Sequence, residues 1–155
     1  MKQTKKVIIN TKIGGFDIST KGLIEYLKLR ENCNEIYCYK YTISSNDIVL
    51  ANFISDISDI GEVDKIIFSK VFYGEYIDDI DSYEFLDVNI YDIQRDDPNL
   101  IEVAETIGDE INTNYSILKI VEIPADVEFY ISENDMGIEY IHEKHRVWSY
   151  KDKSK

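Results

Sequence analysis

The sequence predicts an α+β fold in one domain, with a mixed, mainly antiparallel sheet and two helices packed on one face of it. Two observations support this prediction. Only two segments have apolar residues that recur at helical spacing, whereas a larger number have the short apolar runs or the alternating pattern that is typical of strands. The chain has 155 residues, and 44% of them are hydrophobic, which suits one domain with a full core. We expect this domain to cover residues 1–150 and the Lys-rich tail at 151–155 to be frayed.

The first half of the chain is predicted to contain three strands and one helix. The strands are expected over residues 6–12, 34–42 and 64–73, which are rich in Ile, Val, Tyr and Phe. A helix is expected over 20–30, because Leu and Ile recur there at helical spacing behind a capping Asp or Ser. Residues 46–60 fit a short helix or a strand followed by a loop, since aspartates interrupt their apolar pattern.

The second half is predicted to add one helix and several strands. Asp97 is expected to cap the helix and Pro98 to open it, which is the favoured arrangement at a helix start. The apolar stripe of this helix continues to Ile111, with Gly108 as a mild interruption. The expected strands lie at residues 88–93, 116–123, 127–131 and from 138 onward, the last two joined by a turn at 134–137.

The charge of the chain is strongly one-sided. There are 30 acidic residues against 17 basic ones, which gives a formal net charge of −13. Such a surface repels nucleic acid and anionic membranes, so we expect no direct nucleic-acid partner and no membrane partner. It attracts basic proteins, including those whose groove normally holds DNA or RNA. The plainer interpretation is that the acidity serves solubility.

Cys33 and Cys38 are predicted to be ordinary reduced thiols. In an extended strand, two residues with this spacing lie about 16 Å apart, which is too far for a disulfide. A strand would also place His142 and His145 on opposite faces, so neither pair gives a metal site, and we expect no metal and no cofactor. The apolar runs are too short for a signal peptide or a membrane span, which predicts a cytoplasmic protein.

Four motifs follow one another along the chain. They read Asn10-Thr-Lys-Ile-Gly-Gly-Phe-Asp-Ile-Ser19, Arg95-Asp-Asp-Pro-Asn-Leu-Ile-Glu-Val103, Leu118-Lys-Ile-Val-Glu-Ile-Pro-Ala-Asp126, and Glu139 followed by Glu143-Lys-His-Arg-Val-Trp148. In this order they resemble a family of small bacteriophage and prophage proteins, whose pattern has no counterpart to residues 32–92. The resemblance implies a phage or prophage source, and hence the cytoplasm of the host cell. Because small phage proteins are often counter-defence factors, it suggests a counter-defence role and leaves the activity open.

The first functional hypothesis is that the protein binds and sequesters a small anionic, nucleotide-type immune signal. Such proteins often bind at oligomer interfaces, so this hypothesis predicts a homo-oligomer. The predicted ligand-binding residues are Asn10, Gly14, Gly15, Phe16, Arg95, Lys144, His145, Arg146 and Trp148. The basic side chains would meet the phosphates, and Trp148 or Phe16 would stack a base. The Asn10 side chain and the glycine amides would orient the ligand.

Parts of this set also have a plainer structural interpretation. Arg146 could instead brace the fold through a salt bridge to Asp96 or Glu139. The glycine pair could form only a tight turn, because it lacks the further residues of a dinucleotide-binding or phosphate-binding loop. Phe16 could belong to the core.

The alternative hypothesis is an acidic protein-protein inhibitor that mimics nucleic acid. Residues 75–97 carry many carboxylates and one arginine, and spaced carboxylates can imitate phosphates in the basic groove of a host defence enzyme. The plainer interpretation of this segment is a solvated, variable insertion. A third hypothesis is an enzyme that degrades the signal with His145 as base. No catalytic residue is predicted, however, and we favour a protein without enzymatic activity.

Overall fold

The structure, a computed structural model, describes residues 3–61 and 64–145. This part of the chain contains two α-helices, α1 (Thr20–Arg30) and α2 (Pro98–Ile107), and eight strands. The strands are β1 (Thr4–Asn10), β2 (Tyr37–Ile43), β3 (Val49–Ile54), β4 (Lys65–Ser69), β5 (Tyr76–Ile77), β6 (Leu118–Pro124), β7 (Phe129–Glu133) and β8 (Glu139–Glu143). The predicted α+β, single-domain fold is confirmed. The tail predicted at 151–155 lies outside the described residues.

The strands form three small antiparallel sheets in place of the single mixed sheet predicted from the sequence. Within the described residues, β1 pairs with β6, β7 pairs with β8, and four strands follow the order β4-β2-β3-β5. Helix α2 packs on β1 and β6, and α1 packs on α2. The β7–β8 hairpin lies beside β1, where the Nζ of Lys5 is 5.0 Å from the centroid of the Phe129 ring. The small β1–β6 sheet therefore contacts both a helix and the hairpin.

Helix α1 has the bounds predicted from the sequence. Its N-cap is Ser19, whose Oγ accepts a hydrogen bond from the backbone N–H of Gly22 at 3.0 Å. The buried residues Tyr26 and Leu27 join one core cluster with Leu100 of α2. The same cluster contains residues of β1 and β6, so it joins both helices to that sheet.

Helix α2 begins at Pro98, as predicted. The side chain of Asp97 accepts a hydrogen bond from the backbone N–H of Asn99 at 2.8 Å, which completes the predicted cap. The apolar stripe continues past the helix end, because Gly108, with φ of 59°, leads into a 3-10 turn that keeps Ile111 buried. Of the helices in the described residues, none is long and apolar enough to cross a membrane.

The strand predicted at 88–93 is wrong. This stretch contains a 3-10 turn, Ile90–Asp92, in which the side chain of Asn89 accepts a hydrogen bond from the backbone N–H of Tyr91 at 3.0 Å. Asparagine side chains favour such local bonds, which compete with strand pairing. The ambiguous stretch at 46–60 resolves into β3 followed by a short 3-10 turn.

A second, smaller core lies on the sheet of four strands. Tyr39, Ala51 and Ile77 are its buried residues, and Ile80 and Phe85 pack against them. Three of these five residues, Ile77, Ile80 and Phe85, belong to the acidic stretch at 75–97. The later apolar residues of the same stretch pack on the first core instead, and most of its carboxylates are exposed. These later residues are Leu86, Val88, Ile90 and Ile93.

Cys33 and Cys38 are free thiols, as predicted. Cys38 is buried on β2, and burial raises the pKa of its thiol to about 12, whereas Cys33 is partly exposed. Because the thiolate is the reactive form, we expect iodoacetamide at about pH 8 to label Cys33 in the native protein and Cys38 only after unfolding. Peptide mass spectrometry after timed labelling measures both rates. Equal rates in the native protein would contradict the burial of Cys38.

Candidate functional site

A cleft of about 980 Å³ lies between the loop that follows β1, the segment that precedes α2, and the β7–β8 hairpin. Four of the nine predicted ligand-binding residues line it: Gly14, Gly15, Phe16 and Arg95. Both the volume and the convergence of predicted residues are typical of a binding site. The structure thus brings together two motifs that are far apart in the sequence.

Arg95 forms a two-pronged ion pair with Glu139 in this cleft. Its Nη1 and Nη2 donate to the two carboxylate oxygens of Glu139 at 2.6 and 2.8 Å. The side chains are 17% and 5% exposed, so the pair is largely shielded from water. The guanidinium also lies over the ring of Phe16, with Cζ 3.5 Å from the ring centroid. The positive charge of Arg95 is therefore already neutralised, which weakens its predicted role as a phosphate ligand.

The same two residues accept hydrogen bonds from the edge of β1 that does not pair with β6. The backbone N–H of Ile8 donates to the carbonyl of Arg95 at 2.9 Å, and that of Asn10 donates to Oε1 of Glu139 at 2.8 Å. These are bonds that a neighbouring strand would otherwise provide. Arg95 and Glu139 thus act as structural substitutes for a strand. Glu139, one of the two carboxylates proposed from the sequence as a partner for Arg146, pairs with Arg95.

Asn10 is fully buried beneath the cleft. Its side-chain amide donates to the carbonyls of Lys12 and Gly137 at 2.8 and 2.9 Å. Its Oδ1 accepts from the backbone N–H groups of Lys12 and Ile117 at 3.1 and 3.0 Å. Both donor hydrogens and the acceptor are occupied, so Asn10 joins three chain segments and has no group free to orient a ligand.

The glycine pair forms a loop packed against the hairpin turn. Gly14 has φ of 140° and Gly15 has φ of 108°, and the N–H of Gly14 donates to the carbonyl of Met136 at 2.8 Å. A Cβ on Gly14 would lie 2.5 Å from the carbonyl oxygen of Tyr115. The Gly14 amide is therefore used within the fold, and the glycines allow a close approach of backbones.

Gly137, in the hairpin turn, gives a prediction about this contact. A Cβ there would lie 2.5 Å from the backbone nitrogen of Gly15, and its φ is 87°. We expect Gly137→Ala to lower the free energy of unfolding by about 2 kcal/mol or more in chemical denaturation, from left-handed strain plus the backbone clash. The matched control is Gly74→Ala, with φ of 100° but open space around its Cβ, which should cost only about 1 kcal/mol. Equal losses for Gly137→Ala and Gly74→Ala would show that the hairpin turn does not contact the loop at Gly14 and Gly15.

Lys144 and His145, the two described residues from the C-terminal part of the predicted site, do not line the cleft. The backbone N–H of Lys144 bonds to the carbonyl of Glu128 at the open end of the hairpin, whereas Gly14 contacts the turn at the other end. The two ends are separated by a strand of five residues, which is about 17 Å. His145 follows Lys144 and is exposed. The remaining predicted residues, Arg146 and Trp148, lie outside the described residues.

The carboxylates of the hairpin that line the cleft were not predicted from the sequence. Glu133 and Asp135 lie there together with Asp96, and none of the three has a salt bridge to a described residue. Since Arg95 and Glu139 cancel, the charged lining residues leave a net charge of −3. The alternation of β7, which places Phe129, Ile131 and Glu133 on one face, could have indicated one of these residues. The cleft is electrostatically unfavourable for phosphates.

The strongest electrostatic feature lies beside the cleft. The acidic segment, residues 75–97, contains nine carboxylates and one arginine, so it carries −8 of the net charge of −13. Within the described part of the chain, none of these nine carboxylates forms a salt bridge. Tyr76, Tyr83 and Tyr91 are exposed among them, Tyr91 at 76%. The segment is therefore an uncompensated acidic surface that also offers aromatic rings.

Comparison with known proteins found no family model, no curated protein and no solved structure that matches this chain.

Proposed function

We propose that the protein binds the basic surface of another protein through its acidic segment, as a nucleic-acid-mimicking inhibitor of a host defence enzyme. The single observation that carries this proposal is the concentration of −8 of the net charge in 23 residues whose nine carboxylates form no salt bridge with a described residue. Charges left unpaired at a surface remain free to pair with a partner. The proposed counter-defence role agrees with the phage resemblance of the sequence motifs.

The backbone of the acidic segment is held in place, which supports the proposal. The N–H of Phe53 donates to the carbonyl of Glu75 and the N–H of Leu86 to that of Phe68, both at 2.8 Å. Ile77 is buried in the second core. A fixed array of carboxylates loses less conformational entropy on binding than a flexible one, so more of its electrostatic attraction remains as binding free energy.

The experiment that tests this proposal is competition with nucleic acid. A fluorescent oligonucleotide is bound to each of a panel of purified host DNA- or RNA-binding defence enzymes, and the protein is titrated in. The proposal expects displacement of the oligonucleotide from at least one enzyme, with fluorescence anisotropy falling to the value of the free oligonucleotide. A panel in which no enzyme loses its oligonucleotide and none binds the protein in a pull-down would contradict it.

A second candidate function is the binding of a small anionic, nucleotide-type immune signal in the cleft. It is favoured by the convergence of Gly14, Gly15, Phe16 and Arg95 on one wall. It has less support, because Arg95 is paired with Glu139 and the cleft is acidic. A thermal-shift panel of cyclic nucleotides and ADP-ribose derivatives tests it, since a ligand at about 100 times its dissociation constant adds roughly 2.7 kcal/mol of stability. A flat panel would rule out these ligands.

A further inference from the structure

The cleft has the chemistry of a site for a cationic side chain. Its lining includes the carboxylates of Asp96, Glu133 and Asp135 and the rings of Tyr91 and Phe129. The Phe129 ring already has the Nζ of Lys5 at 5.0 Å from its centroid, so Tyr91 is the ring left for a ligand. Carboxylates accept charge-assisted hydrogen bonds from a guanidinium or an ammonium group, and the faces of aromatic rings attract both. Acceptors and rings therefore surround one concave space.

Within the described part of the chain, the three carboxylates and the ring of Tyr91 have no cation of the protein itself as a partner. Among the described residues, the three carboxylates have neither a salt bridge nor a side-chain hydrogen bond, although they are close enough to line one cleft. In the same part of the chain, Tyr91 is the most exposed of the large hydrophobic residues, at 76%, and it lies at the cleft. A cation that entered the cleft would be attracted by the combined negative charge of the three carboxylates.

The floor of the cleft already binds one guanidinium in this way. The guanidinium of Arg95 lies over the ring of Phe16, with Cζ 3.5 Å from the ring centroid, and its Nη1 donates to the nearer oxygen of Glu139 at 2.6 Å. The protein thus uses a ring and a carboxylate together to hold an arginine inside its own fold. The exposed residues of the cleft lining include the same two kinds of group, three carboxylates and the ring of Tyr91, and no described cation forms a salt bridge with these carboxylates.

The cleft also continues the acidic segment. Tyr91 and Asp96 belong both to that segment and to the cleft lining, so a partner on the acidic surface would extend to the opening. A volume of about 980 Å³ is large enough for a long side chain with its adjoining backbone.

We propose that the cleft binds an arginine or lysine side chain of the basic partner. This inference rests on the proposed function, because it names the group by which that partner is recognised. Arginine is favoured over lysine, since its planar fork can meet two carboxylates while it stacks on a ring.

The test uses the full chain and a short neutral-backbone peptide with one arginine, acetyl-Gly-Arg-Gly-amide. The control peptide carries citrulline, which has nearly the same shape but no charge. Titration followed by ¹⁵N NMR gives the dissociation constant and the residues that shift. We expect the arginine peptide to shift amides of 91–96 and 129–137 and the citrulline peptide to bind about tenfold more weakly or worse, since a lost charged contact costs about that factor.

A matched pair of variants separates the cleft from general acidity. Glu133→Gln with Asp135→Asn removes two charges from the cleft, and Asp126→Asn with Glu128→Gln removes two exposed charges outside its lining. We expect the first variant to weaken the arginine peptide about tenfold and the second to leave it within about twofold. Equal binding of the two peptides, or equal weakening by the two variants, would overturn the inference.

The outcomes for the two proposals are distinguishable. If the arginine peptide does not bind, while basic enzymes still bind through the acidic segment, the inference fails and the proposed function stands. If the peptide binds in the cleft, while no enzyme loses its oligonucleotide, the cleft remains a cation site and the proposed function fails.

Discussion

Replacing Glu139 with alanine is expected to lower the free energy of unfolding by about 3–5 kcal/mol, because it breaks a largely buried ion pair. The substitution leaves the guanidinium of Arg95 shielded from water without its carboxylate partner. It also removes the acceptor of the Asn10 backbone N–H at the edge of β1. A buried charge and a buried donor are both costly when unpaired. Urea denaturation followed by circular dichroism measures the change.

An exposed ion pair provides the control for this prediction. Lys6 and Glu105 are bonded at 2.7 Å, but their side chains are 40% and 48% exposed. Glu105→Ala should therefore cost less than about 1 kcal/mol. The double variant Arg95→Leu with Glu139→Leu should be less destabilised than Glu139→Ala, because no charge is left behind. Similar losses for Glu139→Ala and Glu105→Ala would show that the Arg95–Glu139 pair does not close the strand edge.

The second large effect is expected in the salt dependence of partner binding. If the acidic segment carries the interaction, the affinity for a basic enzyme should fall about tenfold to a hundredfold as NaCl rises from about 50 to about 300 mM, because salt screens exposed charges. Most of the loss should be in the association rate, since long-range attraction steers the encounter. Surface plasmon resonance at several salt concentrations gives both rates. An affinity that does not change with salt would indicate an apolar interface instead.

The local features of the fold follow from the sequence, because their causes are local. Ser19 and Asp97 mark helix starts through bonds to the next three residues, and Pro98 does so through its fixed φ. Helix α1 has the predicted bounds. The pairing of strands is different, since alternation identifies a strand but not its neighbour. The closing of β1 by Arg95 and Glu139 could not be foreseen for the same reason. These residues are 44 positions apart in the sequence, and no sequence pattern predicts that they are in contact.

The candidate site was predictable only in part. The loop at Gly14 and the start of α2 were correctly placed at element ends, and the fold brings them to one cleft. Their predicted role assumed free polar groups, whereas the structure uses the Asn10 amide and the Arg95 guanidinium internally. Lys144 was expected at the same site, but the length of the hairpin separates it from Gly14. Sequence patterns identify which groups are polar, and only the fold shows which of them remain unpaired.

The acidic segment was recognisable from composition alone. Its surface exposure depends on a packing feature, since Ile77, Ile80 and Phe85 anchor it on the second core. The sequence shows these apolar residues between the carboxylates but not the core they cover.

A comparison of two charge-reversed variants tests most directly whether the acidic segment is the binding surface. One variant has Asp78, Asp81 and Asp87 changed to lysine, and the other has Asp109, Asp126 and Glu143 changed to lysine. All six residues are exposed, and both variants have a net charge of −7. The measurement is displacement of an oligonucleotide from the basic partner enzyme. We predict that the first variant loses about a hundredfold or more in affinity and that the second stays close to the unmodified protein. Equal losses in the two variants would show that overall charge, rather than this surface, causes binding.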